Sequence, residues 1–124
     1  LVSPPQLRLP EKYKEILQEH NIEFEETYDL NKVLDKVDIF YMTRIQKERF
    51  DDKEAYDKLK GCFVVNKETM KQMSEGAIVM HPLPRVDEIS PEIDSDPRAA
   101  YFRQAKNGLY LRMALLKLVL GNNS

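Results

Sequence analysis

The sequence has little cysteine and no tryptophan, and it has no long uninterrupted apolar run. A single cysteine cannot build a disulfide framework, so a reducing, cytoplasmic setting is expected. That residue, Cys62, begins the apolar run Cys62–Val65 and is predicted to be buried. The longest apolar stretch, 109–120, is interrupted by Arg112 and Lys117 and is shorter than the roughly 20 residues that a membrane span requires. We therefore predict a buried helix there and no membrane partner.

An excess of charge of one sign is also lacking. The chain carries 19 Lys and Arg against 21 Asp and Glu, and the two signs are interleaved. Without a basic stripe, a nucleic-acid partner is not expected. The contents of 42% hydrophobic and 32% charged residues are typical of a globular domain. The chain starts at Leu1 without an initiator methionine or a signal-peptide pattern, so we expect a longer parent polypeptide.

Short apolar runs alternate with amphipathic stretches, a pattern that predicts an α/β domain with a mostly parallel sheet. Periodicity and capping residues predict helices over 10–20, 29–37, 52–59, 67–74 and 95–120, the last with an irregularity at 107–108. Extended segments are predicted at 1–3, 22–26, 38–43, 62–65 and 77–80. The strand at 38–43 is continuously apolar, which is typical of a strand covered on both faces.

Ligands of open parallel sheets bind beyond the carboxyl ends of the strands, so the residues after Thr43 and after Met80 are candidates for a ligand site. The segment Arg44–Arg49 places three cations, a carboxylate and an amide in six residues. It is either a solvated loop with local ion pairs or a clamp for a small dicarboxylate. The clamp is chemically reasonable because a guanidinium binds a carboxylate through two hydrogen bonds.

A second segment, His81–Arg85, has prolines on both sides of Leu83. Proline removes backbone donors and leaves carbonyl oxygens that can only accept hydrogen bonds. Such carbonyls would suit a substrate amide or amine, whereas the simpler interpretation is a tight turn out of the preceding strand.

Taken together and in order, these motifs resemble those of the aspartate carbamoyltransferases. The matching runs are Tyr41–Phe50, Val79–Ile89, Tyr101–Gln104 with Asn107-Gly108, and Arg112–Leu116. The resemblance covers essentially the whole chain. It implies a Rossmann-like, three-layer α/β domain, with residues 1–124 forming the C-terminal part of the aspartate-binding domain and the sheet incomplete at its N-terminal side. The carbamoyl-phosphate domain would be absent.

The resemblance also implies roles for individual residues. Arg44 and Gln46 would bind the aspartate carboxylates and orient its amine. The carbonyls of Pro82, Leu83 and Pro84 would lie at the carbamoyl group and the attacking nitrogen, with a cis Leu83–Pro84 bond. Domain closure and loop holding would fall to Lys47, Glu48, Arg49 and Arg85, with Arg49 in an interdomain salt bridge. No residue is assigned as catalytic, and His20 and His81 are expected to be structural or exposed.

The implied reaction joins carbamoyl phosphate to L-aspartate, releasing phosphate and N-carbamoyl-L-aspartate on the path to pyrimidines, without a metal or organic cofactor. The implied assembly is a cytoplasmic homotrimer with shared sites, associated with regulatory subunits or with other pyrimidine-pathway domains. The family's Ser-Thr-Arg-Thr phosphate site, its loop lysine and a second aspartate-binding arginine would lie upstream of Leu1. The isolated chain is therefore expected to be inactive.

Two alternatives stay open at this point. The chain could be a non-catalytic binding or assembly module of the same fold. It could also act on ornithine or another amine, although the ornithine enzymes are expected to have cysteine after the histidine, where this sequence has Pro82. An ornithine site would have little use for Arg44 facing a cationic side chain.

Overall fold

The structure, a computed structural model, describes residues 1–50 and 52–121, with the side chain of Arg49 outside the described part. The chain divides into two compact units, Leu1–Val33 and Leu34–Ser124. Among the described residues, no helix is both long and apolar enough to cross a membrane.

The first unit is organised around helix α1, Glu11–Glu19, as predicted. The helix follows Pro10 and ends before Asn21, whose φ of 53° lies in the left-handed region that stops a helix. Lys14 on α1 binds Glu26 at 2.6 Å, and Glu26 also accepts a hydrogen bond from the backbone of Leu9. These contacts fasten the unit's second half to its helix.

Three predictions for this part of the chain are wrong in extent. In place of strands at 1–3 and 22–26, the described residues form one isolated parallel bridge, Val2 to Thr27. A strand needs a continuous ladder partner, and only this pair aligns here. In place of a helix over 29–37, a 3₁₀ turn spans Leu30–Lys32, with the predicted cap Asp29 accepting from the backbone of Asn31 at 3.1 Å.

The second unit contains a parallel pair of strands, β1 (Ile39–Tyr41) and β2 (Ile78–Met80). Phe40 lies opposite Val79, and both side chains are buried. Ile39 and Tyr41 point to the other face and are exposed, so the prediction that this strand is covered on both faces is wrong. The described elements bury only one face of β1.

Helices α2 (Lys53–Leu59) and α3 (Lys67–Gln72) lie between the strands in sequence, close to their predicted limits. Asp52 caps α2 through the backbone of Glu54, and Gly61 turns the chain with a φ of 73°. Cys62 follows this turn and is exposed, so its predicted burial is wrong; Val65 is the residue of that run that enters the core.

The carboxyl end of α3 is held by Arg98. Its guanidinium donates to the carbonyl oxygens of Met70, Met73 and Ser74 at 2.8 to 3.4 Å and pairs with Asp96 at 2.9 Å. A cation at this place satisfies carbonyls that lack a partner within the helix.

Helix α4, Tyr101–Leu120, begins later than predicted. Asp96 accepts a hydrogen bond from the backbone of Arg98 and so closes a turn ahead of the helix. The helix is continuous through Asn107 and Gly108, so the predicted irregularity is absent. Tyr101 is fully buried, but the large apolar residues of 109–120 are exposed, and their predicted burial is wrong. The described residues pack only against the beginning of α4.

The cap of α3 gives a test of the local structure. Asn66 accepts from the backbone of Thr69 at 3.0 Å, and the Thr69 hydroxyl accepts in return from the backbone of Asn66. We expect Asn66→Ala to lower the free energy of unfolding by about 1 kcal/mol, measured by urea denaturation. Asn107→Ala, within exposed α4, is the matched control and should not destabilise, because alanine favours helix. An equal loss in both variants would contradict the capping role.

Candidate functional site

The two predicted segments leave the same edge of the sheet. Because β1 and β2 are parallel, their carboxyl ends lie side by side, and Met42 N donates to Met80 O at 2.9 Å just beyond the strands. The chain then enters the Arg44 segment on one side and the His81 segment on the other. This arrangement is the one expected for a ligand site in a parallel α/β fold.

Arg44 presents its guanidinium to a carboxylate, although that carboxylate belongs to the chain itself. Its two terminal nitrogens donate to the two oxygens of Glu48 at 2.9 and 3.3 Å. This hydrogen-bonded pair lowers the pKa of the Glu48 carboxyl below its usual value. The guanidinium therefore makes a two-point contact with a carboxylate of the chain itself, and its binding of a substrate carboxylate remains a prediction.

The other residues of this segment lie at the surface. Gln46, Lys47 and Glu48 are exposed, and Gln46 precedes a 3₁₀ turn, Lys47–Arg49, without capping it through its side chain. The predicted salt bridge of Arg49 concerns a side chain outside the described residues. Gln46 is accessible to a ligand, and its role remains a prediction.

The proline segment forms a tight turn with an unusual backbone. The Leu83–Pro84 bond is cis, as the resemblance implied, and Leu83 has a φ of 49°. Pro82 and Pro84 are exposed. Within the described residues, no hydrogen bond from the protein reaches the carbonyl oxygens of Pro82, Leu83 or Pro84. These acceptors are available to a ligand.

Arg85 follows this turn, and its side chain is held by Asp94 and Tyr101. Its guanidinium binds both oxygens of Asp94, the second at 2.7 Å, and donates to the Tyr101 hydroxyl. It also lies over the rings of Tyr101 and Phe102, at 5.5 and 5.6 Å from their centroids. Such contacts are those that a loop-holding residue would make, and the role remains a prediction.

An open cleft lies between the end of β1 and residues 86–88, which follow the His81 segment. Its lining residues are Met42, Thr43, Arg44, Ile45, Tyr56, Lys60, Gly61, Phe63, Val86, Asp87 and Glu88. Lys60 and Asp87 form a salt bridge of 3.1 Å across it. Arg44 therefore shares a cleft with Val86–Glu88, whereas Gln46 and Pro82–Pro84 lie outside its lining.

Sequence reasoning did not single out several residues of this cleft. Tyr56 and Lys60 come from α2 and the residue after it, and Asp87 and Glu88 follow the proline turn. One usable signal was the carboxylate Glu88 directly before the apolar Ile89, because Glu88 is itself buried and a buried charge is expensive unless it is paired. The Val-Asp-Glu-Ile end of the matching run contained that signal.

The fold and the site define a class: a parallel α/β domain with a guanidinium and free backbone acceptors at the carboxyl edge of its sheet. A family model described as "Aspartate/ornithine carbamoyltransferase, Asp/Orn binding domain" matches residues 1–119. The aspartate carbamoyltransferase catalytic subunit of Clostridium novyi is 53% identical over 121 residues, which are 98% of this chain and 40% of that relative.

Solved structures agree with this comparison. The catalytic subunit of M. jannaschii aspartate transcarbamoylase has a TM-score of 0.88 and 45% identity, covering 98% of this chain and 40% of that one. Aspartate transcarbamoylase from Trypanosoma cruzi in complex with carbamoyl phosphate and aspartate has a TM-score of 0.84 and 41% identity, covering 94% and 39%. The chain belongs to the aspartate/ornithine carbamoyltransferase family, and its fold is Rossmann-like α/β, as predicted. It spans about 40% of the length of these relatives.

The hydroxyl of Tyr101, which donates a hydrogen bond to Asp94, gives a pH test. Burial, followed by the hydrogen bond to Asp94, raises the pKa of the Tyr101 hydroxyl from 10.0 to about 12. The stabilisation is fully present below the unfolded-state pKa near 10.0 and is lost as pH rises towards about 12. We expect Tyr101→Phe to be less stable at neutral pH but to lose less stability over that alkaline range, measured by thermal melts. Tyr28→Phe, at an exposed position, should keep the wild-type slope; a wild-type slope in Tyr101→Phe would contradict the assignment.

Proposed function

We propose that this chain is the C-terminal part of the aspartate-binding domain of an aspartate carbamoyltransferase. The reaction joins carbamoyl phosphate and L-aspartate to give N-carbamoyl-L-aspartate and phosphate, a step of pyrimidine synthesis. One observation carries the proposal. Arg44 makes a two-point contact with the Glu48 carboxylate at the edge of the sheet where the proline turn, with its free carbonyl acceptors, also begins. The relative that is 53% identical to this chain over 121 residues supports the proposal.

Arg44 would bind a carboxylate of aspartate in place of Glu48. The present pair is exposed, so exchanging one carboxylate for another has a small electrostatic cost. The pairing also keeps the guanidinium extended over the cleft before a ligand arrives, which reduces the conformational entropy lost on binding. Gln46, two residues further on, would supply an amide to the same ligand and help to orient its amine.

The proline turn would bind the N–H groups of the two substrates. The carbonyl oxygens of Pro82, Leu83 and Pro84 would accept hydrogen bonds from the carbamoyl amide and from the attacking amine. They cannot donate, so they favour N–H groups over a second carboxylate. Fixing the amine against the carbamoyl carbon is the kind of positioning that supplies roughly 7 to 11 kcal/mol of a barrier, with no metal or cofactor required.

Lys47, Glu48 and Arg49 would belong to a segment that closes on the bound substrates, and Arg85 would hold the turn through Asp94. Release of Glu48 from Arg44 by the incoming carboxylate would couple occupancy to that closure. The working assembly would be a cytoplasmic homotrimer with shared sites. Regulatory subunits or other pyrimidine-pathway domains would be further partners.

The Arg44 assignment predicts a large loss of acceptor binding. Arg44→Ala should weaken aspartate binding by roughly 10-fold to 100-fold, since losing a charged hydrogen-bond partner is worth about 1.5 to 3 kcal/mol. Calorimetric titration with aspartate, in the chain combined with the remainder of a catalytic subunit, measures it. Arg112→Ala on exposed α4 is the matched control and should bind normally.

The same titration separates the second candidate, a carbamoyltransferase for ornithine, which the description of the matching family model includes. An ornithine site would keep its acceptor affinity in Arg44→Ala. Ornithine binding that is stronger than aspartate binding in the unaltered chain would replace our proposal.

The chain by itself is expected to lack turnover, because it spans about 40% of the length of relatives named as catalytic subunits. A carbamoyltransferase assay on the 124-residue chain should show only background. Addition of the remaining part of the subunit should restore activity. Normal turnover by the chain alone would contradict this division of the site.

A further inference from the structure

A buried pair of polar side chains, His81 and Glu88, spans the base of the proline segment. The Nε2 atom of His81 lies 2.8 Å from a Glu88 carboxylate oxygen, and the side chains are 1% and 10% exposed. An ionisable pair removed from water is expensive unless its hydrogen bonds are satisfied, so its partners show what it holds in place. The pair lies outside the residues proposed to bind the substrates.

The other nitrogen of the His81 ring has a different partner. The backbone N–H of Leu83 donates to His81 Nδ1 at 2.8 Å. A nitrogen that accepts a hydrogen bond carries no hydrogen, so the ring hydrogen is on Nε2 and is donated to Glu88. The carboxylate therefore fixes the tautomer, and the tautomer supplies the acceptor for Leu83.

The direction of one carbonyl follows from this contact. The Pro82–Leu83 peptide is trans, because the cis bond is the next one along. In a trans peptide the N–H and C=O vectors are antiparallel. With the Leu83 N–H directed at the buried ring, the Pro82 carbonyl oxygen must point away from the ring, on the exposed side of the turn.

Glu88 controls the other end of the segment in the same manner. Its carboxylate accepts from the backbone N–H groups of Val86, at 3.2 and 3.3 Å, and of Asp87, at 3.1 Å. The ends of the segment are also anchored: His81 N donates to the Gln104 side chain at 3.0 Å, and Glu88 O accepts from Val65 N at 2.9 Å. The pair therefore joins two fixed points and draws the intervening N–H groups inwards.

We propose that His81 and Glu88 are a positioning pair that aims the Pro82 carbonyl at an N–H group of the bound substrate. The identity of that substrate rests on the proposed function; the hydrogen-bonded relay Glu88, His81, Leu83 does not. Although Glu88 lines the Arg44 cleft, in this proposal both side chains act through the backbone and not by direct contact with the substrate. Their effect passes through the backbone of Leu83 and reaches the ligand as a correctly directed acceptor.

The relay itself is tested by nuclear magnetic resonance on the 124-residue chain, without any ligand. Correlation spectra of the imidazole nitrogens should show the hydrogen of His81 on Nε2, and the Leu83 amide should exchange slowly. In Glu88→Gln the Leu83 amide should exchange at least about 10-fold faster, because a glutamine amide can also donate to Nε2 and so no longer keeps the ring hydrogen off Nδ1, the acceptor for Leu83. Glu68→Gln, at an exposed site on α3, is the control. A hydrogen on His81 Nδ1 in the unaltered chain would overturn the proposal.

The consequence for chemistry is tested in the complete catalytic polypeptide with two substitutions of His81. His81→Phe removes the acceptor for Leu83, and kcat should fall at least about 10-fold while KM for aspartate, which depends on Arg44, changes little. His81→Asn should recover most of kcat, because asparagine accepts from the backbone two residues further on. His20→Asn, exposed on the first unit, should match the unaltered enzyme.

The outcomes are distinct. Equal losses in His81→Phe and His81→Asn, with both variants folded by circular dichroism, would overturn the positioning role, as would an unchanged kcat in His81→Phe. If the unaltered enzyme does not carbamoylate aspartate, the proposed function fails. The imidazole and amide measurements then still decide whether the relay exists.

Discussion

The parallel pairing of β1 with β2 determines which parts of the chain meet. Phe40 against Val79 fixes the register, and a one-residue slip of either strand would turn its buried side chain out of the core. Gln104 reinforces the alignment beyond the strands, because its side chain accepts from His81 N and donates to the Tyr41 hydroxyl. The same pair of strands therefore positions both the Arg44 cleft and the proline turn.

The features that the sequence predicted well are those encoded locally. Asn66 and Asp29 act as caps because their short side chains reach backbone N–H groups three and two residues ahead. The polar residues that follow the two strands lie at the same edge of the sheet because the strands are parallel. The cis Leu83–Pro84 bond came instead from a matching motif, since no periodicity reveals it.

The failures have a common physical cause, which is dependence on distant partners. The run 109–120 is apolar enough for a core, but burial requires a second surface, and the described residues provide one only at Tyr101. A strand over 22–26 lacked a ladder partner for the same reason. The pairing of His81 with Glu88 was also not visible in advance, because a spacing of seven residues across an irregular loop corresponds to no regular structure.

The link between His81 and Glu88 also constrains how the chain can vary in length. The imidazole spans a contact to a residue two positions ahead and another to a residue seven positions ahead. One added or deleted residue between them would carry the carboxylate off the ring, because the outer anchors at Gln104 and Val65 hold both ends. Related sequences that keep this geometry should therefore have the same number of residues between His81 and Glu88, without insertions or deletions.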